Sequence, residues 1–136
     1  MRRFGRAAAV AAVLAALAAP VAAQSPPLAP DTPAVPGYEP ELLRLSEILG
    51  AVQFLRELCG TNEGSLWRDQ MQALLDSEQP TFDRRARMVD RFNRGYESYR
   101  SVYRTCTESA RITVDRFMQE GARISAEIAA RYGNHG

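Results

Sequence analysis

The stretch that decides the fold is PELLRLSEILGAVQFLRELCG, residues 40–60. Leu42, Leu45, Ile48, Leu49, Val52, Leu55 and Cys59 recur at intervals of three and four and share one face of a helix. Leu43, Phe54 and Leu58 lie on another side, with Gly50 and Ala51 beside them. A helix that is apolar over most of its circumference is either central in its fold or offers a second face to a partner. Pro40 suits the first turn. Gly60 suits the left-handed position just past the C-terminal end. The spacing therefore predicts a helix from Pro40 to about Leu58. Glu47 sits within its second face, so Leu43, Glu47, Phe54 and Leu58 form a candidate partner surface. An arginine from the same chain would make Glu47 structural, the reading preferred here, and one from another protein would make it a binding feature.

Downstream, three more helices are predicted. Asn62 is a candidate cap for a second helix over Glu63 to Ser77, which turns Leu66, Trp67, Met71, Leu74 and Leu75 inward before Pro80. Thr81 can cap a third helix, in which Phe82, Ala86, Val89, Phe92, Tyr96, Tyr99, Tyr103 and Cys106 make one long stripe, with Gly95 as its weak point and a candidate kink. Thr107 can cap a fourth, with Ala110, Val114, Phe117, Gly121, Ile124, Ile128 and Tyr132 on a narrow stripe that ends at Gly133. No strand-like alternation and no internal repeat is present. The expected class is all-α: an up-down bundle of four helices.

Upstream, the chain has the parts of a cleaved secretory signal. Arg2, Arg3 and Arg6 precede an unbroken apolar run from Ala7 to Ala19, and Val21-Ala22-Ala23 places small residues before Gln24. The run is shorter than the roughly 20 residues that a membrane span needs. We expect cleavage near Ala23, export to the periplasm and no retained anchor. The context expected around a twin-arginine pair is missing at Arg2-Arg3, and the export route stays open. Five prolines between Gln24 and Gly37 (Pro26, Pro27, Pro30, Pro33 and Pro36) fix φ and remove donors, so residues 24–37 read as an extended, disordered tether. The expected organisation is a signal over residues 1–23, that tether, and one helical domain over residues 38–134.

Losing Arg2, Arg3 and Arg6 takes the formal charge from +1 to −2. A weakly acidic chain has no global attraction for nucleic acid. Every cation is arginine, which reads first as coding bias.

Two cysteines in an exported chain most often pair. Cys59 and Cys106 lie at the C-terminal ends of the predicted first and third helices, which point the same way in an up-down bundle. Both thiols then sit at one end of the domain. A bridge closing 47 residues stabilises by about 4 kcal/mol in the loop-entropy treatment. A reactive thiol would want a neighbour such as histidine, and the only histidine is His135, near the C-terminus. A metal site would need more ligands than these. No metal, cofactor or catalytic residue is expected.

Other clusters have a functional and a plainer reading. Arg84, Arg87, Arg91 and Arg94 fall on one face of the third helix and form a candidate anion face. The pairs Asp83–Arg87 and Asp90–Arg94 also suit a self-paired, solvated surface, which is the preferred reading. Tyr96, Tyr99 and Tyr103 suit a glycan groove, or more simply the core. Glu57, Glu63 and Asp69 flank the turn near Trp67, and two carboxylates on a cleft are the equipment for acid–base work on a glycan. Acids at the start of a helix are also electrostatically at home there. There is no phosphate loop and no usable Ser-His-Asp set.

Six segments together resemble a family of small, uncharacterised exported alphaproteobacterial proteins with two cysteines: Glu47-Ile48-Leu49-Gly50, Leu58-Cys59-Gly60, Leu66-Trp67-Arg68, Phe92-Asn93-Arg94-Gly95-Tyr96, Tyr103-Arg104-Thr105-Cys106 and Ala130-Arg131-Tyr132-Gly133-Asn134. The resemblance covers Tyr38 to Asn134 and implies a Gram-negative envelope protein without an assigned activity. The sequence thus leads to a non-enzymatic periplasmic module that binds another envelope protein, with self-association left open. The alternative is a glycan-binding or glycan-cleaving protein that uses Glu57 and Glu63 near Trp67.

Overall fold

The computed structural model describes residues 11–23 and 34–133. These belong to two separate units, divided after Pro33. Residues 11–23 carry no helix or strand and are exposed. The charged start of the predicted signal, most of the predicted tether, Asn134 and His135 lie outside the described residues. Among the described residues, no helix is long and apolar enough to cross a membrane.

The second unit consists of four helices: α1 (Glu39–Leu58), α2 (Leu66–Glu78), α3 (Phe82–Arg100) and α4 (Glu108–Tyr132). Local chemistry sets most of their ends. Pro40 lies in the first turn of α1. At its other end Gly60 takes φ +69°. The amides of Gly60 and Thr61 donate to the carbonyls of Glu57 and Arg56, the crossed pattern that closes many helices. The hydroxyl of Thr81 accepts from the Arg84 amide, and that of Thr107 from the Ala110 amide, so each threonine satisfies one free donor of its helix. The second helix starts three residues later than its sequence predicts. Asn62 and Gly64 take left-handed backbone there, which turns the chain before Leu66 can begin α2.

The helices alternate up and down around α1, the one helix that packs extensively on the other three. Its buried residues face every direction: Leu42, Leu45, Ile48, Ala51, Val52, Phe54 and Leu55. That decides between the two readings of its apolar girth, because α3 covers the second face. Phe54 is buried, Leu43 and Leu58 pack against the core, and Glu47 pairs with Arg91 of α3 and Arg44 of α1. The four residues of the candidate partner surface therefore face an intramolecular neighbour.

Two glycines let α1 and α3 run side by side in the same direction. A Cβ on Gly50 would land on the Phe92 carbonyl, and one on Gly95 on the Glu47 carbonyl. Each helix thus presses its backbone into the gap where the other lacks a side chain. The third helix is continuous through Gly95, and this glycine is a point of close contact with α1.

The first half of α3 is rotated relative to the predicted stripe. Arg84, Met88, Phe92 and Gly95 face inward, while Phe82 is 86% exposed and Ala86 and Val89 face outward. The inward arginine explains the rotation. Arg84 donates to Glu39 at 2.7 Å and to Glu78 at 3.2 Å, and Tyr38 donates to Glu78 at 3.0 Å. One buried guanidinium thereby ties the starts of α1 and α3 to the end of α2. Met88→Ala should cost about 3 kcal/mol by opening a cavity. Phe82→Ser should stay within about 0.5 kcal/mol, as exposed substitutions do. Denaturant midpoints of the two variants check the rotation, and equal losses would contradict it.

The helix also ends earlier than the stripe suggests, at Arg100, so Tyr103 and Cys106 lie in the connector to α4. Cys59 and Cys106 are bonded across this end of the bundle, with Cα atoms 4.9 Å apart.

Candidate functional site

Two concave regions flank the start of α2. The first is a depression of about 380 Å³, lined by charged and polar residues together with Trp67, where the loop from Gly60 to Gly64 curls beside the end of α1. Gln53, buried in α1, holds the loop: its amide nitrogen donates to the Gly64 carbonyl at 3.0 Å and its oxygen accepts from the Arg68 amide at 3.1 Å. Glu57, Glu63 and Trp67 all line this depression, so the structure brings together the residues of the glycan alternative. Asp69 lies apart, exposed, and accepts from the Ser65 hydroxyl.

The chemistry of these groups is largely spoken for. The two Glu63 oxygens accept from Nε and Nη2 along one edge of the Arg56 guanidinium, and Oε2 accepts also from the Trp67 indole N–H at 2.7 Å. Arg56 above all, with help from Trp67, holds the Glu63 carboxyl down at about 2, against an ordinary 4.5. A general acid for glycoside cleavage needs the opposite shift. Glu57 accepts from the Tyr96 hydroxyl at 2.9 Å and from the Gln53 amide. The depression is built as a clasp on the loop.

The lowered Glu63 value has a consequence for stability. A carboxyl whose folded value lies below its unfolded one contributes stability above about pH 4.5, and that contribution disappears as pH falls toward 2. Thermal unfolding of the wild type should therefore lose stability over this window more steeply than Glu63→Gln, which has no carboxyl to protonate. Parallel curves for the two proteins would contradict the clasp.

The four arginines of the candidate anion face differ in burial and partners. Arg84 is buried and doubly paired, Arg91 reaches Glu47 at 3.4 Å, and Arg94 reaches Asp90 at 2.8 Å. Arg87 is exposed. The tyrosines line the core: Tyr96 packs its edge on Phe54, Tyr99 on Phe117, and Tyr103 meets the Ser109 hydroxyl. Arg68 lies over the Tyr96 ring at 5.0 Å, which closes that surface further.

The second concave region is nearly free of charge and was not anticipated from the sequence. Between α2 and α4, with α1 as the floor, two depressions of about 280 and 440 Å³ share Leu45 and Ser125 and so form one groove. One wall carries Trp67, Gln70 and Leu74 of α2, and the other Met118, Ala122 and Ala129 of α4. The groove exists because α2 and α4 each pack on α1 and not extensively on one another. A signal was present in the sequence. The charges of α4 at Glu120, Arg123, Glu127 and Arg131 recur on one side and leave Met118, Ala122, Ser125 and Ala129 as a neutral stripe.

A family model described as "Protein of unknown function (DUF2385)" matches residues 37–132, from the approach to α1 to the last residue of α4. The chain belongs to this family. No curated protein and no solved structure matches it. The matched segment takes in the whole four-helix unit, so the DUF2385 domain here contains both cysteines, the glycine crossing, the clasp and the groove.

Proposed function

We propose that this DUF2385 protein is exported to the periplasm of a Gram-negative envelope and works there as a non-enzymatic module that binds another envelope protein. The observation that carries the binding reading is the groove between α2 and α4, a concave surface whose lining holds one charged residue, Glu78, as binding clefts with few, placed polar groups do. The signal-like start and the Cys59–Cys106 bond support export, because such bonds persist in oxidising compartments. The glycan-cleaving alternative has less support, because the Glu63 carboxyl stays ionised and bound to Arg56.

The test is an affinity purification from detergent-solubilised envelope, with the oxidised chain from Gln24 onward as bait. Recovery of a specific protein in near-stoichiometric amount is the expected result. Recovery of none, together with binding or cleavage of cell-wall glycan that is lost in Glu57→Gln, would transfer the role to the alternative.

A further inference from the structure

Phe82 is the most exposed large apolar side chain of the four-helix unit. It does not stand alone. Ala86 and Val89 follow it at i+4 and i+7, are also exposed, and share its side of α3, away from the face that meets α1. Asn93 continues the row by one turn without adding charge. An outward apolar row at this spacing suits a second helix laid along it.

The charges beside the row identify that helix. Asp83, Arg87, Asp90 and Arg94 are all exposed and line one edge of it. Arg84 and Arg91, the other two arginines of the candidate anion face, are engaged elsewhere by Glu39, Glu78 and Glu47. The edge therefore runs acid, base, acid, base in steps of four, three and four residues. Reversed, it keeps the same steps and inverts every charge. A second α3 laid antiparallel, about a two-fold axis level with Met88 and Val89, sets Asp83 against Arg94 of the copy. It sets Arg87 against Asp90 of the copy, and the symmetry repeats both pairs. The same placement brings Ala86 near Val89 of the copy. A parallel copy would set each charge against its like, which repels. Within the chain this edge is only partly used. Arg94 reaches Asp90 at 2.8 Å in an open pair, and Asp83 and Arg87 make no ion pair among the described residues.

We infer that this face joins two copies of the chain, paired antiparallel through α3 by the Phe82–Ala86–Val89 row and its self-complementary charged edge. This stands apart from the binding reading above, which needs no second copy. A face one helix wide lies below the roughly 800 Å² per partner of a standard interface, so the dimer is weak and absent at about 1 μM.

The experiment is sedimentation equilibrium of the oxidised protein over a range from about 1 μM to about 1 mM, which spans weak association. The wild type should rise from the mass of one chain toward that of two. Asp83→Arg with Asp90→Arg makes the edge wholly basic, and Arg87→Asp with Arg94→Asp makes it wholly acidic. Each of these double variants alone should associate at least tenfold more weakly. An equimolar mixture of the two should recover the dimer, which also shows that both are folded. Phe82→Ser should weaken association at least tenfold with the charged edge intact. A wild type that stays monomeric throughout, or that grows beyond two copies, would overturn the inference. So would double variants that dimerise as well as the wild type, a mixture that stays monomeric, or a dimer indifferent to Phe82→Ser.

Discussion

Replacing Cys59 and Cys106 together by serine should lower stability by about 4 kcal/mol, most of it through the unfolded state. The bond closes a loop spanning a sequence separation of 47 residues, and the entropy removed from the unfolded chain by such a closure corresponds to about 4 kcal/mol. A domain of this size has only about 5–15 kcal/mol in total, so the variant should sit near the edge of folding at 37 °C. The two serines also lose packing, since Cys59 lies against the core cluster of α1 and α4. Chemical denaturation of the oxidised protein, the reduced protein and the double variant separates the terms. The reduced protein and the variant should both lose about 4 kcal/mol. A loss below about 1 kcal/mol in both would mean that the helices hold this end of the bundle without the staple.

The second large effect is expected at the glycine crossing, where two ordinary rules oppose one another. By helix propensity alone, Gly50→Ala or Gly95→Ala should stabilise by about 1 kcal/mol. By packing, each new methyl meets a backbone carbonyl of the facing helix, of Phe92 in one case and of Glu47 in the other. A backbone cannot rotate aside as a flexible side chain can, so α1 and α3 must move apart along much of their length. Overpacking of a tight interior costs about 1–3 kcal/mol and occasionally more, and here it also loosens the Glu39–Arg84 pair and the Phe54–Tyr96 contact. Packing should win: because backbone meets backbone, its cost should lie above the usual range, at about 4 kcal/mol, and the propensity gain of about 1 kcal/mol leaves a net loss of about 3 kcal/mol for either variant. The double variant should lose less than the sum, because both methyls force the same separation. Thermal melts of the three proteins decide the matter, and a gain in either single variant would remove the close crossing from the fold.

These expectations show where the sequence was informative. The caps were legible because Thr81, Thr107 and Gly60 act through bonds to neighbours a few residues away, and such bonds follow from local order. The cysteine pairing was legible because helix direction and count already bring both thiols to one end. The rotation of α3 was not legible. Its stripe was chosen by aromatic and aliphatic residues, whereas the fold buries Arg84 against Glu39 and Glu78, partners that lie 45 and 6 residues away. No periodicity reports such a pairing, and an exposed Phe82 runs against the usual preference for burial.

The two faces of α1 make a related case. Their apolar girth was evident, but whether α3 or another protein covered the second face depended on Gly50 meeting Gly95, a tertiary match between residues with no side chains. The candidate site divides in the same way. Glu57, Glu63 and Trp67 are close in sequence and were found together. The groove arises from helices α2 and α4 that hardly meet, and a gap between elements leaves only an indirect trace, here the neutral stripe of α4.

The proposed envelope role requires that the chain works outside the cytoplasm. The most direct test is the intact mass of the protein recovered from cells that produce the full chain, measured after alkylation without reductant. The expected species begins at Gln24, comes from the periplasmic fraction and carries no alkyl group on Cys59 or Cys106. A species beginning at Met1, recovered from the cytoplasm with both thiols alkylated, would contradict it.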